Sequence, residues 1–257
     1  MRIVVIAMDE PFFLPGFFDR VFSRLGETVC GVAVVPLASS ALAWKRLVRE
    51  TLLLYGFWGA CRQTVEWGAL AVASWLPGGR SCSVAAVAKR HGLPVTRWPS
   101  VNHSQCIAWL QALRPDVVIA QVPDRVQPDV LAVPTIGVLN KHAALLPKYR
   151  GRHPIFWALR YGEREIGVTW HLMDERFDRG RIVAQRRIPV EPGDTVHRLY
   201  QLVFEMGAEL VSEAVVSAER RDRAAVGAAP SSGKGSYYSS PTREDVRQFR
   251  AKGCRMR

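Results

Sequence analysis

Short runs of β-branched and aliphatic residues alternate along most of this chain with segments of helical spacing. That alternation limits the possible folds more than any other feature. Ile3–Met8, Val29–Val35, Asp116–Ala120 and Ile136–Leu139 read as buried strands, with Pro94–Trp98, Gly167–Met173 and Ile182–Val190 as further ones. Gly16–Leu25, a segment from Ser81 to Lys89 and Ser104–Leu113 read as helices between them. Pro154 suits the first turn of a helix carrying Ile155, Phe156, Ala158 and Leu159, which Gly162 ends. Asp194 or Thr195 caps a long helix whose apolar face runs from Leu199 to Val211. The expected fold class is α/β, a doubly wound and mostly parallel sheet with helices on both faces and a short C-terminal appendage. Sites in such sheets collect at the carboxyl ends of strands.

Two stretches break the rhythm. Residues 41–77 are apolar and rich in tryptophan (Trp44, Trp58, Trp67, Trp75), with Arg49, Glu50, Arg62 and Glu66 interrupting any run long enough to span a bilayer. They are expected to form an extra helical pair packed on the sheet. A homodimer interface or a membrane-surface contact are the alternative uses. Residues 219–236 end in an Ala, Gly, Pro and Ser-rich stretch and read as a linker, and 237–257 as a short basic C-terminal segment. This leaves 1–218 as the main domain, with 41–77 inserted.

The formal net charge of +12 is unusual beside an ordinary apolar content of 48%. It suits an anionic partner (nucleic acid, a membrane surface, a phosphorylated substrate) or a merely basic solvated surface, and part of it lies from Arg220 onward. The five cysteines include no pair at C-x-x-C spacing, so neither a disulfide framework nor a metal site is expected. The start, Met1 to Met8, runs straight into Asp9-Glu10 without a signal-peptide cleavage region, and a cytoplasmic location is expected.

The chemistry concentrates in Leu139-Asn140-Lys141-His142-Ala143-Ala144-Leu145-Leu146-Pro147-Lys148-Tyr149-Arg150-Gly151 and in Met173-Asp174-Glu175-Arg176-Phe177-Asp178-Arg179-Gly180. Asn140 and His142, two apart at a strand end, emerge on the same side of the chain. An asparagine amide donates to a developing oxyanion, a histidine takes an amine's proton near neutral pH, and a carboxylate fixes the imidazole. Alone, each residue also suits an ordinary turn or loop.

Taken in order, Asn140-Lys141-His142, Leu145-Leu146-Pro147, Arg150-Gly151, Gly167-Val168-Thr169 and Asp178-Arg179-Gly180 resemble the formyltransferases that use 10-formyltetrahydrofolate. These comprise the methionyl-tRNA, glycinamide ribonucleotide and sugar N-formyltransferases. The resemblance covers about Val117 to Val216 and implies a Rossmann-like fold and one-carbon transfer from 10-formyltetrahydrofolate. It implies Asn140, His142 and Asp178 as the catalytic trio, with no metal. It also implies that Asp124, Arg125 and Val126 contact the pterin, and that Asp174 to Phe177, including Glu175, close over it. His153 and His171 lie near these motifs without an implied role.

Three departures shape the expected substrate. Ala144 stands where many members carry serine, and Arg179 where a small residue is usual. Met8-Asp9-Glu10-Pro11 lacks the glycine-rich phosphate loop of the glycinamide ribonucleotide enzymes. The sequence shows no counterpart of the large domain with which the methionyl-tRNA enzymes hold tRNA, so tRNA is not the expected partner. The expectation is transfer to the amine of a small or nucleotide-linked molecule, an amino sugar foremost, its phosphates matching the basic surface. Methionyl-tRNA formylation and 10-formyltetrahydrofolate hydrolysis are the alternatives.

Overall fold

The computed structural model describes residues 1–73, 81–176, 178–224 and 235–257. They divide into two compact units, 1–139 and 140–257. The strands are β1 (Ile3–Met8), β2 (Val29–Val35), β3 (Val95–Arg97), β4 (Val117–Gln121), β5 (Gly137–His142), β6 (Arg150–Gly151), β7 (Glu165–Leu172), β8 (Ile182–Pro189) and β9 (Tyr237–Tyr238). The helices are α1 (Leu14–Leu25), α2 (Ala41–Ala73), α3 (Val84–Arg90), α4 (Ser104–Leu113), α5 (Pro128–Leu131), α6 (Pro154–Tyr161), α7 (Val196–Glu209), α8 (Val211–Ala224) and α9 (Arg243–Ala251).

In the first unit the sheet order is β3-β2-β1-β4-β5, every neighbouring pair parallel. Ile3 to Ala7, Val32, Ala33 and Val117 to Ile119 are fully buried. Both faces of these strands are therefore covered, which is why they read as unbroken apolar runs and not as alternating ones. Each such Val, Ile or Leu side chain contributes roughly 1.5–3 kcal/mol of burial free energy.

Helix α1 begins two residues earlier than its spacing predicts. The Glu10 carboxylate accepts from the backbone N–H groups of Phe12, Phe13 and Leu14 at 2.8, 2.8 and 3.1 Å, satisfying donors that the helix itself leaves open. The predicted cap of α3, Ser81, is displaced in the same way. Its first N–H, at Val84, is taken by Asp9 Oδ1 at 3.1 Å, from the end of β1.

The stretch expected to be a helical pair is one, broken at Gly56 (φ 70°, ψ 178°). Its apolar residues do not pack away as expected: within α2 only Glu50 and Leu54 are buried, and Trp58 is 82% exposed. Trp75 and the end of that stretch lie outside the described residues.

In the second unit β7 and β8 pair antiparallel from Glu165↔Pro189 to His171↔Ile182. The single long helix expected after Thr195 is two helices, α7 and α8, with Leu210 between them. Helix α8 continues to Ala224, past residue 219 where a linker was expected to begin, and residues 225–234 lie outside the described set.

The basic C-terminal segment is woven into this unit. β9 pairs parallel with β6, and Phe249 stacks on Phe156 at 4.6 Å between centroids. Arg160 and Asp245 form a largely buried ion pair at 3.0 Å. Thr242 and Asp245 close a capping box at the start of α9.

Candidate active site

Strand β5 runs three residues beyond Leu139, so Asn140 and His142 are strand residues and not the loop after it. Their two-residue spacing puts them on one side of the strand. The loop that follows is held in place by Thr169 of β7, which is fully buried. Its hydroxyl donates to the Ala144 carbonyl at 2.6 Å and accepts from the Leu146 N–H at 3.2 Å. Gln185 Nε2 donates to both Thr169 Oγ1 (2.8 Å) and the Leu146 carbonyl (3.0 Å). A Cβ at Gly167 would run into the Leu145 side chain and the Arg186 carbonyl, so only glycine lets the loop lie this close to β7. The Leu-Leu-Pro and Gly-Val-Thr pieces of the sequence pattern thus form one support beneath the strand end. The Leu146–Pro147 peptide is cis.

Asn140, His142 and Asp178 converge, and a second histidine joins them. Asp178 Oδ1 lies 3.6 Å from Nδ1 of His142 and 3.6 Å from Nε2 of His171. Asn140 Nδ2 lies 3.2 Å from the same His171 Nε2, whose Nδ1 faces the Leu172 carbonyl at 3.2 Å. A carbonyl only accepts, so His171 carries its hydrogen on Nδ1 and its Nε2 accepts from the Asn140 amide. One amide hydrogen of Asn140 is used in this contact.

His142 is held from the other side. Its Nε2 donates to the Tyr149 carbonyl at 2.9 Å. In the neutral ring that leaves Nδ1 as a bare acceptor facing Asp178. Burial lowers the His142 pKa below its usual 6.5, outweighing the Asp178 charge and the Tyr149 carbonyl, which act to raise it. The ring is therefore neutral at pH 7 and able to take a proton.

Asp178 behaves oppositely. Burial pushes its pKa up, but the charge His142 carries once protonated and the Gly151 N–H, with His171 close by, bring it down to about 2. Its Oδ2 accepts from Gly151 N at 2.9 Å. With both imidazoles neutral and His171 Nε2 an acceptor, the Gly151 N–H is the donor left to keep the carboxylate charged. Tyr149 (φ 56°), His153 (φ 53°) and Asp178 (φ 50°) all adopt the left-handed conformation disfavoured for such residues. Three of the four such non-glycine residues among those described thus cluster in this one region.

Asp124 accepts from the hydroxyls of Ser39 (3.0 Å) and Ser100 (3.2 Å) in the first unit. The Arg125 carbonyl accepts from Asn102 Nδ2 at 2.8 Å, and Val126 is buried. Asp174 and Glu175, in the second unit, are exposed, and Asp174 Oδ1 accepts from Arg176 N at 2.8 Å. Phe177 lies outside the described residues. His153 is the left-handed residue that opens α6.

His171 has no role implied by the resemblance, and as a residue of an alternating strand it reads from sequence equally as structural or pocket-lining. The Tyr149 carbonyl and Gly151 amide were hidden because backbone groups leave no residue signature. Only the positive-φ requirement at Gly151 hints at the second.

Residues 83–215 match the sequence pattern of the Formyl transferase family. A methionyl-tRNA formyltransferase of Synechococcus sp. (strain JA-3-3Ab) is 41% identical over 136 residues, 52% of this chain and 42% of that protein. One from Roseiflexus sp. (strain RS-1) is 41% identical over 143 residues, 53% and 44% of the two chains. The chain therefore matches less than half the length of these relatives. The fold resembles phosphoribosylglycinamide formyltransferase from Bacillus halodurans, with a TM-score of 0.58 at 19% identity over 88% of this chain and 97% of that one. It also resembles a sugar N-formyltransferase from Shewanella sp. FDAARGOS_354, with a TM-score of 0.58 at 16% identity over 97% and 88%. The family pattern spans more than half of the chain and includes Asn140, His142 and Asp178: the chain belongs to the formyl transferase family.

Proposed function

We propose that the chain is an N-formyltransferase that moves the formyl group of 10-formyltetrahydrofolate onto a primary amine. The observation that carries this reading is the convergence of a buried His142, its Nε2 held by the Tyr149 carbonyl and its Nδ1 3.6 Å from the Asp178 carboxylate, with the Asn140 amide. The donor supplies an already activated formyl carbonyl. This chain's residues need only stabilise the oxyanion and manage one proton, and the amide, two imidazoles and carboxylate fit that need. A relative of known structure, the sugar 3N-formyl transferase WlaRD, was crystallised with dTDP and 5-N-formyl-THF.

In this mechanism the second amide hydrogen of Asn140 donates to the formyl oxygen as the carbon becomes tetrahedral, while the first stays on His171. The attacking amine would give its proton to Nδ1 of His142, which would return it to the leaving folate nitrogen as the bond between that nitrogen and the formyl carbon breaks. The imidazolium formed is stabilised by Asp178, 3.6 Å away, and its ring is kept from turning by the Tyr149 carbonyl. His171 is a positioning residue that aims the Asn140 amide. The Asp124–Val126 loop and Asp174, Glu175 and Phe177 are proposed to hold the pterin.

Two acceptor classes remain in play. An amino sugar carried on a nucleotide suits the +12 charge of the chain. The amine of methionyl-tRNA is favoured by the names of the relatives, methionyl-tRNA formyltransferases 41% identical over about half of this chain. An acceptor panel with 10-formyltetrahydrofolate separates them, read by tetrahydrofolate release and by a product heavier by one carbon monoxide. Formate release without any amine would replace both readings by hydrolysis.

A further inference from the structure

Among the described residues, every exposed large apolar side chain other than Met1, Tyr161, Val216 and Tyr237 lies on α2. They are ordered along it. Trp44, Val48 and Leu52 are four apart and form one row on the leg before Gly56, and Trp58, Val65 and Val72 are seven apart and form one row on the leg after it. These six are between 44% and 82% exposed. Scattered single apolar residues on a surface are ordinary, but two aligned rows on one element are not.

The charge on the same element narrows what covers it. Lys45, Arg46 and Arg49 are exposed on the first leg and Arg62 on the second. Of the two acidic residues, Glu50 is buried and Glu66 is paired with Arg62 at 2.8 Å. The outward charge is therefore positive, on a chain of net charge +12.

A second copy would bring the same positive charge against this one. A polyanion such as RNA would meet the basic side chains but leave the apolar rows in water. An anionic bilayer surface satisfies both, since tryptophan rings settle at the headgroup level, aliphatic side chains enter the acyl boundary, and lysine and arginine extend to the phosphates. No helix among the described residues is long and apolar enough to cross a membrane, so the contact lies in the plane of the surface.

We propose that α2 docks the protein onto the surface of an anionic lipid bilayer, its two apolar rows entering the headgroup boundary and Lys45, Arg46 and Arg49 meeting lipid phosphates. The test is sedimentation of the full chain with large unilamellar vesicles of phosphatidylcholine and phosphatidylglycerol, and with phosphatidylcholine alone. The Trp44→Ser, Trp58→Ser, Val65→Ser triple variant is measured beside the wild type. The expected result is binding to the anionic vesicles, about tenfold weaker binding to the neutral ones, and about tenfold weaker binding by the triple variant. Helix content by circular dichroism stays unchanged in that variant.

Failure of the wild type to bind would overturn the proposal, and so would a triple variant that binds as well as the wild type. A concentration-dependent dimer that the triple variant loses, with no vesicle binding, would assign the face to a second copy instead. Loss of tRNA binding in place of vesicle binding would assign it to nucleic acid.

Discussion

The Tyr149 carbonyl, not the Asp178 carboxylate, takes the hydrogen bond that fixes the His142 ring: Nε2 lies 2.9 Å from the carbonyl, whereas Nδ1 stands 3.6 Å from the carboxylate. The two contacts divide the work. One sets the tautomer in the resting enzyme, and the other waits for a proton to arrive.

The first consequence is a pH profile. Burial holds the His142 pKa below 6.5, so the base stays neutral and competent to a lower pH than an exposed histidine would. The acid limb of kcat/KM is expected below pH 6.5, falling about tenfold per pH unit beneath it. His142→Ala is expected to lower turnover by about two to four orders of magnitude and abolish that limb. A limb that persists in the variant would assign it to another group.

Asp178 gives a test of acid stability. Its folded pKa of about 2 lies below the ordinary 3.8, so the unfolded chain takes up the proton first as the pH drops. The stabilisation is complete above about pH 4 and is lost between there and about pH 2, amounting to about 2 kcal/mol. Denaturant melts across that window should show the loss in the wild type and not in Asp178→Asn. The same variant is expected to turn over about 10²–10⁴ times more slowly at pH 7.

His171 is predicted to act through Asn140. His171→Ala frees the amide to rotate and should lower kcat by about tenfold or more with little change in KM. His171→Gln, which keeps an acceptor at that position, should restore part of it. An Ala variant with unchanged kcat would leave His171 a packing residue only.

Gly180 is predicted to be intolerant of any side chain, because a Cβ there would overlap the Leu172 carbonyl of β7. Gly180→Ala should cost about 3 kcal/mol or more and displace Asp178 two residues away. Gly162→Ala is the control. Its φ of 77° makes alanine strained, but open space surrounds it, and about 1 kcal/mol is expected. Thermal unfolding of the two variants reads the difference directly.

Much of the fold and the site was legible from residues alone. The β1, β2 and β4 strands are apolar on both faces because both faces are covered, and an unbroken apolar run of strand length bounded by turn residues signals that burial. Asn140, His142 and Asp178 were legible through their spacing and the motifs around them. Caps supplied from a distance were not: Asp9 serves Val84, 75 positions away. The role of 237–257 was hidden because β9 is two residues long and its partner, β6, is equally short. The exposure of α2 was hidden too, since a Trp-rich helical pattern reads the same whether it faces a core or a surface.

The most direct measurement is formyl transfer from 10-formyltetrahydrofolate to a panel of primary amines by the wild type and by an Asn140→Ala, His142→Ala double variant of unchanged fold. A formylated product is expected with the wild type and a rate at or near background with the double variant. Undiminished transfer by the double variant would contradict the proposed mechanism.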